Sequence, residues 1–181
     1  MHVKTKKIAL AGMLGAFVIV LLVLGTIIES NTLFLMAAAS FCVGIVIREW
    51  GLLSGAIFFV SCTLLSLLLV PNKFYCITFS AMGLYLLFAE GLWEYLAGRK
   101  QLKRRNLVLW IGKYVFFNCI YLPTILVFPT LIVAQRMTGK LFVFVLLTGQ
   151  GALFIYDSAY RYFQGYIWEK FRKKLQIGRN L

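Results

Sequence analysis

The chain has 181 residues, of which 61% are hydrophobic and 14% are charged, and its mean hydropathy is +0.86. Soluble domains carry about 25% charged residues, so this composition excludes an ordinary soluble protein and predicts a single transmembrane domain over 1–181. The net charge is +13. Because the cations concentrate in loops and tails on one predicted side, we expect a lipid bilayer with anionic lipids as their partner, and no nucleic acid.

Long apolar runs predict an all-α fold. The expected architecture is a polytopic membrane protein built as a six-transmembrane-helix bundle. The predicted helices are 8–28, 32–47, 50–70, 74–96, 107–134 and 141–166. The second, at about 16 residues, is short for a perpendicular span of roughly 20 residues, which indicates a re-entrant or unwound start. Pro123 and Pro129 predict kinks in the fifth.

The stretch Gly98–Arg105 fixes the predicted orientation, because it holds five Lys and Arg residues between apolar runs. Short Lys/Arg-rich loops stay on the cytoplasmic side of a membrane. Four predicted helices precede this cytoplasmic loop and two follow it. Because both numbers are even, the N- and C-termini are predicted to lie in the cytoplasm as well. Fourteen Lys and Arg residues then lie in inner segments and three in outer loops.

Ionisable side chains within predicted membrane helices are costly and often functional. Five of them lie toward the cytoplasmic ends of helices 4, 5 and 6: Glu90, Glu94, Lys113, Asp157 and Arg161. Asp157 and Arg161, four residues apart, can pair along one helix face, while Lys113 reaches the inner surface or meets Glu90 or Asp157. A proton relay would need stations in the outer half, whose helices carry no charge. We therefore expect an inner polar seam that closes the cytoplasmic end.

Rings, hydroxyls and amides concentrate in the outer half and its turns. The candidate ligand-binding residues are Glu29, Asn31, Asn72, Lys73, Tyr75, Thr78, Asn118, Tyr121 and Gln150. An aromatic lining with a few hydrogen-bonding groups suits a small, flat, partly polar organic solute. An aromatic belt at the membrane interface, with ordinary packing, explains the same residues.

Enzyme signatures are missing from the sequence. His2 is the only histidine and Asp157 the only aspartate, which excludes a Ser-His-Asp triad, an HExxH zinc site and a pair of membrane aspartates. The four cysteines fall singly in different apolar runs and are interpreted as packing residues. We expect no catalysis, no metal site and no cofactor.

The opening segment Thr5–Ala16, the six predicted helices, the length and the cytoplasmic termini resemble the substrate-binding S components of energy-coupling factor transporters. The segments Leu67–Lys73 and Tyr156–Arg161 are similar to uncharacterised Firmicute membrane proteins of that general type. The resemblance implies a vitamin-sized solute bound in the outer half, and a bacterial cytoplasmic membrane as the location.

Helix 1 carries two overlapping pairs of small residues, Ala11 with Gly15 and Gly12 with Ala16, which let another helix approach closely. Packing within the bundle is one use for this groove. The family resemblance implies the other: these four residues dock against a transmembrane coupling subunit, which works with ATPases.

Two further hypotheses remain open. One is a membrane scaffold or assembly protein of the bacterial cell-wall machinery, resembling the small rod-shape protein of that machinery. The other is an autonomous transporter that couples transport through Asp157 and Lys113. The scaffold predicts no closed outer pocket, whereas the autonomous transporter predicts flux without an ATPase.

Overall fold

The computed structural model describes residues 2–98, 104–127 and 139–175, and the predicted all-α class is confirmed for them. The helices are α1 (His2–Ile27), α2 (Thr32–Trp50), α3 (Leu52–Leu69), α4 (Lys73–Ala97), α5 (Arg105–Val127), α6 (Gly139–Tyr162) and α7 (Glu169–Leu175). A 3₁₀ turn, Glu29–Asn31, precedes α2, and a π-helical segment, Phe163–Trp168, joins α6 to α7. Six helical spans are long and apolar enough to cross a membrane: α1 to α5, and α6 together with its continuation.

The predicted bounds of the second helix need a correction. The second helix is neither short nor unwound at its start, because α2 is continuously helical over 19 residues from Thr32 to Trp50. It ends at Gly51, whose φ of 88° lies in the left-handed region that favours glycine. The Gly51 N–H donates to the Ile47 carbonyl at 2.8 Å and caps the helix. Sequence reasoning ended the helix at Ile47, because Arg48 and Glu49 read as a polar loop.

The other boundaries differ by a few residues. Helix α1 begins at His2 rather than at residue 8, and the last predicted helix continues past residue 166 into α7. Helix α5 passes through Pro123 and is described to Val127. The remainder of the predicted fifth helix, with Pro129, lies outside the described residues.

The chain divides into two compact units, residues 1–95 and 96–181. In the first, α1, α2 and α3 pack against one another. Helix α2 is the centre of this unit, since every residue from 39 to 47 is buried. Gly55 of α3 lies so close to Ile47 that a Cβ atom there would overlap its side chain. The thiol of Cys76 donates to the Ser66 carbonyl at 3.3 Å and links α4 to α3.

Three serine hydroxyls on α3 bond to carbonyls three or four residues earlier, two of them within α3 and one at the end of α2. Ser54 and Ser61 donate to the carbonyls of Trp50 and Ile57, four residues earlier, at 3.0 and 2.9 Å. Ser66 donates to the Thr63 carbonyl at 2.8 Å. These local bonds satisfy polar groups without a partner helix, so they explain how a Leu-rich span tolerates hydroxyls.

In the second unit α5 and α6 pack as an antiparallel pair, which is called the α5–α6 hairpin below. The buried face of α6 is a single stripe at helical spacing: Val145, Gly149, Leu153, Asp157 and Tyr160. Gln164, in the π-helical segment, extends this stripe by one more buried position. The hairpin therefore presents both apolar and polar side chains to its own interior.

Candidate functional site

Polar contacts between α5 and α6 follow one register along the hairpin. Lys113 meets Asp157, Asn118 meets Gln150, and Tyr121 meets the backbone of Val145. The residue number rises along α5 as it falls along α6, which is the signature of antiparallel helices. Three of the nine candidate ligand-binding residues and three of the five predicted seam residues thus lie in this one hairpin.

An ion cluster forms one end of that register. The ammonium of Lys113 lies 2.6 Å from Oδ1 of Asp157, and Nε of Arg161 lies 3.2 Å from Oδ2. The Asp157 side chain is fully buried, that of Lys113 is 15% exposed, and that of Arg161 is 51% exposed. The predicted pairing of Asp157 with Arg161 is confirmed, and Lys113 meets Asp157. Two cations share one carboxylate.

Trp110 adds a ring to this cluster. The Arg161 guanidinium lies 4.9 Å and the Lys113 ammonium 5.8 Å from its ring centre, within cation–π range. Phe154 of α6 stacks on Trp110 with ring centres 5.8 Å apart. Sequence reasoning missed Trp110, although its position one helical turn before Lys113 was a usable signal.

Paired amides lie farther along the hairpin. The Gln150 Nε2 donates to Asn118 Oδ1 at 2.7 Å, and the Asn118 amide donates to the Tyr114 carbonyl at 2.8 Å. The Tyr121 hydroxyl donates to the Val145 carbonyl at 2.8 Å. The hairpin brings these candidate ligand-binding residues together, and the bonds that they make are within the hairpin, so their ligand-binding role stays a prediction.

A groove beside this register runs along one flank of α5. The groove is shallow and open to one side, with a volume of about 540 Å³. Its lining residues all belong to α5: Trp110, Ile111, Tyr114, Val115, Asn118, Cys119 and Leu122. They form two rows at four-residue spacing with one furrow between them. Asn118 is the one predicted ligand-binding residue in this lining.

Three candidates lie at or just after the start of α4, and two of them, Asn72 and Lys73, bond to helix ends. Asn72 Oδ1 accepts the Phe74 N–H at 3.1 Å and caps the start of α4. The Lys73 ammonium donates to the carbonyls of Leu67 and Val70 at 2.5 and 3.0 Å at the end of α3. Thr78 donates to the Phe74 carbonyl at 3.0 Å.

Three remaining candidates belong to the first unit. Tyr75 is half-buried and Asn31 is exposed in the turn before α2. The side chain of Glu29 lies outside the described part of the chain. Among the contacts of residues 2–98, none joins Tyr75 and Asn31 in a shared site, so the ligand-binding role of these three residues stays a prediction.

Glu90 pairs with a residue that sequence reasoning left in a loop. Nε and Nη2 of Arg48, at the end of α2, donate to Oε1 of Glu90 at 3.0 and 2.8 Å. Glu90 is 8% exposed at its side chain and Arg48 is 42% exposed. Glu94, one turn farther along α4, is exposed. The signal for this ion pair was present, since both residues lie near the predicted inner ends of their helices.

The two small-residue pairs of α1 face different surroundings. Ala11 and Gly15 are partly buried, and a Cβ atom on Gly15 would contact Phe58 and Cys62 of α3. Gly12 and Ala16 are exposed, and nothing lies within 4 Å of a Cβ atom built on Gly12. One pair therefore packs within the first unit and the other lies on its surface.

Comparison with protein-family models, with curated proteins and with solved structures gives no match to this chain. Among the described residues, no cluster of three or more His, Cys, Asp or Glu side chains could hold a metal ion. The features of this chain that bear on function are the hairpin, its groove and the exposed face of α1.

Proposed function

We propose that this chain is a multi-pass membrane subunit that binds a small organic solute and depends on partner proteins for any energy input. The observation that carries the proposal is the open α5 groove, because its lining combines aromatic, aliphatic and amide groups, as the linings of small-molecule sites do. Asn118 supplies the amide, and its bond to Gln150 fixes the orientation of that amide. A rigid polar group in an apolar groove gives specificity at little cost in entropy.

In this proposal the protein lies in a bacterial cytoplasmic membrane with both termini inside. The Lys/Arg distribution supports that orientation. The partner in this proposal is a transmembrane coupling subunit with its ATPases, as the resemblance to S components of energy-coupling factor transporters implies. The exposed Gly12 and Ala16 offer α1 a surface on which another helix can approach closely.

The test is native mass spectrometry of the protein purified gently from its own membrane. We expect a small molecule to be retained by the native chain and lost from Val115→Trp, because an indole at Val115 fills the groove. Val143→Trp is the matched control, since Val143 is exposed on α6 and does not line the groove. Equal retention by both variants would refute the groove as the solute site.

A membrane scaffold, acting in the cell-wall machinery, is the second candidate. Its specific support is that Asn118, Gln150 and Tyr121 bond within the hairpin rather than leaving polar groups open to a ligand. A scaffold needs a rigid hairpin and an exposed docking face, and it needs no solute.

Partner capture separates the two functions. Gly12→Leu should reduce recovery of a partner that docks on α1, whereas Gly151→Leu, at another open glycine, should leave it unchanged. Recovery of ATPases and a coupling subunit with the native chain supports the transport subunit. Recovery of wall-synthesis proteins, with no retained small molecule, supports the scaffold instead.

A further inference from the structure

We propose that the solute of the α5 groove is an amphiphilic organic acid, with its carboxylate on Arg161 and its single apolar chain along α5. This inference rests on the proposed solute-binding function and names the chemical class of the solute. It follows from two features that meet at Trp110: an excess of positive charge and the end of an apolar furrow.

The charge excess comes from the composition of the ion cluster. Lys113 and Arg161 bring two positive charges to Asp157, which carries one negative charge. Within residues 96–181 the sequence has one other acidic residue, Glu169, and it lies on α7, beyond the π-helical segment. An uncompensated cation within a membrane-spanning helix is unfavourable, so a bound anion of single charge would stabilise the cluster.

Arg161 is the cation that can receive this anion. Lys113 is mostly buried and makes its short contact with Asp157. Arg161 makes one contact to Asp157 through Nε and a long one, 3.5 Å, from Nη2 to the Ser158 hydroxyl, while half of its side chain is exposed. A guanidinium has five N–H donors arranged to bind a carboxylate through two parallel hydrogen bonds.

Trp110, at one end of the groove, contacts this cation. Trp110 both lines the groove and packs beneath the Arg161 guanidinium at 4.9 Å. From Ile111 to Leu122 the furrow extends roughly 16 Å at 1.5 Å per residue, with aliphatic and aromatic walls. A furrow between two rows of one helix accommodates one chain, which favours a single-chain acid over a lipid with two chains.

Cys119 supplies a reporter within the groove. It is exposed and lines the furrow, whereas Cys42, Cys62 and Cys76 are buried. The rate at which an uncharged maleimide labels Cys119 therefore measures occupancy of the groove. Labelling of one thiol per chain shows in the same experiment that a variant has kept its fold.

The experiment uses the full chain in nanodiscs of zwitterionic lipid, with dodecanoate and dodecanol as probes of equal chain length. We expect dodecanoate to protect Cys119 at concentrations about ten- to hundred-fold below dodecanol, the difference that a hydrogen-bonded charge supplies. Arg161→Gln should abolish that difference and leave protection by dodecanol unchanged. Lys140→Gln, at an exposed cation at the other end of α6, should preserve it.

Each contrary result has its own meaning. Equal potency of the two probes on the native chain would overturn the acid while leaving a solute groove in place. If neither probe protects Cys119, both the acid and the groove are overturned. The same holds if the probes protect Cys119 equally well in Val115→Trp and in the native chain. If an anionic phospholipid in the nanodisc protects Cys119 from labelling and dodecanoate does not, the anion on Arg161 is a lipid headgroup. That result would overturn the free acid as the solute.

Discussion

Asp157→Asn removes the one carboxylate of the ion cluster while keeping its shape. The change leaves the Lys113 ammonium and the Arg161 guanidinium next to a neutral amide. Because the Asp157 side chain is fully buried and that of Lys113 is 15% exposed, water can compensate little of the lost attraction at Lys113. We therefore expect a large loss of stability from the replacement of one carboxylate oxygen by an amide nitrogen.

The magnitude follows from the distances. At 2.6 Å and an effective dielectric constant near 20, the Lys113–Asp157 attraction is about 6 kcal/mol before desolvation is subtracted. Removing one partner of a buried pair costs about 3–5 kcal/mol in measured cases. Arg161 is 51% exposed and can turn to water, so its contribution is discounted. We expect Asp157→Asn to lower the free energy of unfolding by about 3 kcal/mol.

Reversible unfolding in mixed micelles with increasing dodecyl sulfate measures this quantity. Glu94→Gln is the control, because Glu94 is exposed on α4 and its loss should change stability by less than about 0.5 kcal/mol. The double variant Lys113→Met with Asp157→Leu should recover to within about 1 kcal/mol of the native protein, since an apolar pair replaces the ionic one. A cost below about 1 kcal/mol for Asp157→Asn would refute the reasoning, as would a double variant less stable than the single one.

Three further predictions test the hairpin and its orientation. Gly149→Ala should lower the free energy of unfolding by about 1–3 kcal/mol, because its Cβ would overlap the Tyr121 ring. Gly151→Ala, in open space, should be neutral or stabilising. Equal unfolding curves for the two variants would contradict the packing of Gly149 against Tyr121. Asn118→Leu and Gln150→Leu should each lower the free energy of unfolding by about 1–3 kcal/mol. A double-mutant cycle should give a coupling energy of about 0.6 kcal/mol between them. Strictly additive losses would show that the two amides do not interact. In a Cys119→Ala background, Pro71→Cys should react with an impermeant maleimide on intact cells and Asn106→Cys only after permeabilisation; the reverse pattern would invert the topology.

Hydrophobic length and charge distribution were sufficient to predict the number of spans. The end of α2 was not predictable in this way, because Arg48 and Glu49 are polar and read as a turn. In the structure they continue the helix, and Arg48 is held there by Glu90, which lies 42 residues farther along the chain. A contact at that separation depends on how α2 and α4 pack, and helical periodicity carries no information about it.

The residues of the hairpin were predicted more fully than their roles. Asn118, Tyr121 and Gln150 were named for their polarity at membrane depth, and the structure brings them together. Their mutual bonding depends on the register between α5 and α6, which composition does not determine. The groove was missed for a different reason: a row such as Ile111, Val115 and Cys119 reads as a lipid-facing surface until its depth is known.

One face of α5 thus serves the hairpin while the adjacent flank stays open. Lys113, Asn118 and Tyr121 direct their polar atoms at α6, and these bonds orient α5. The flank that forms the groove is lined by α5 residues alone. Asn118 and Trp110 belong to both faces, since each contacts α6 and lines the groove. A ligand that moved either side chain would therefore act directly on the hairpin's polar register, and under the proposed function this is the physical route from occupancy of the groove to a docked partner.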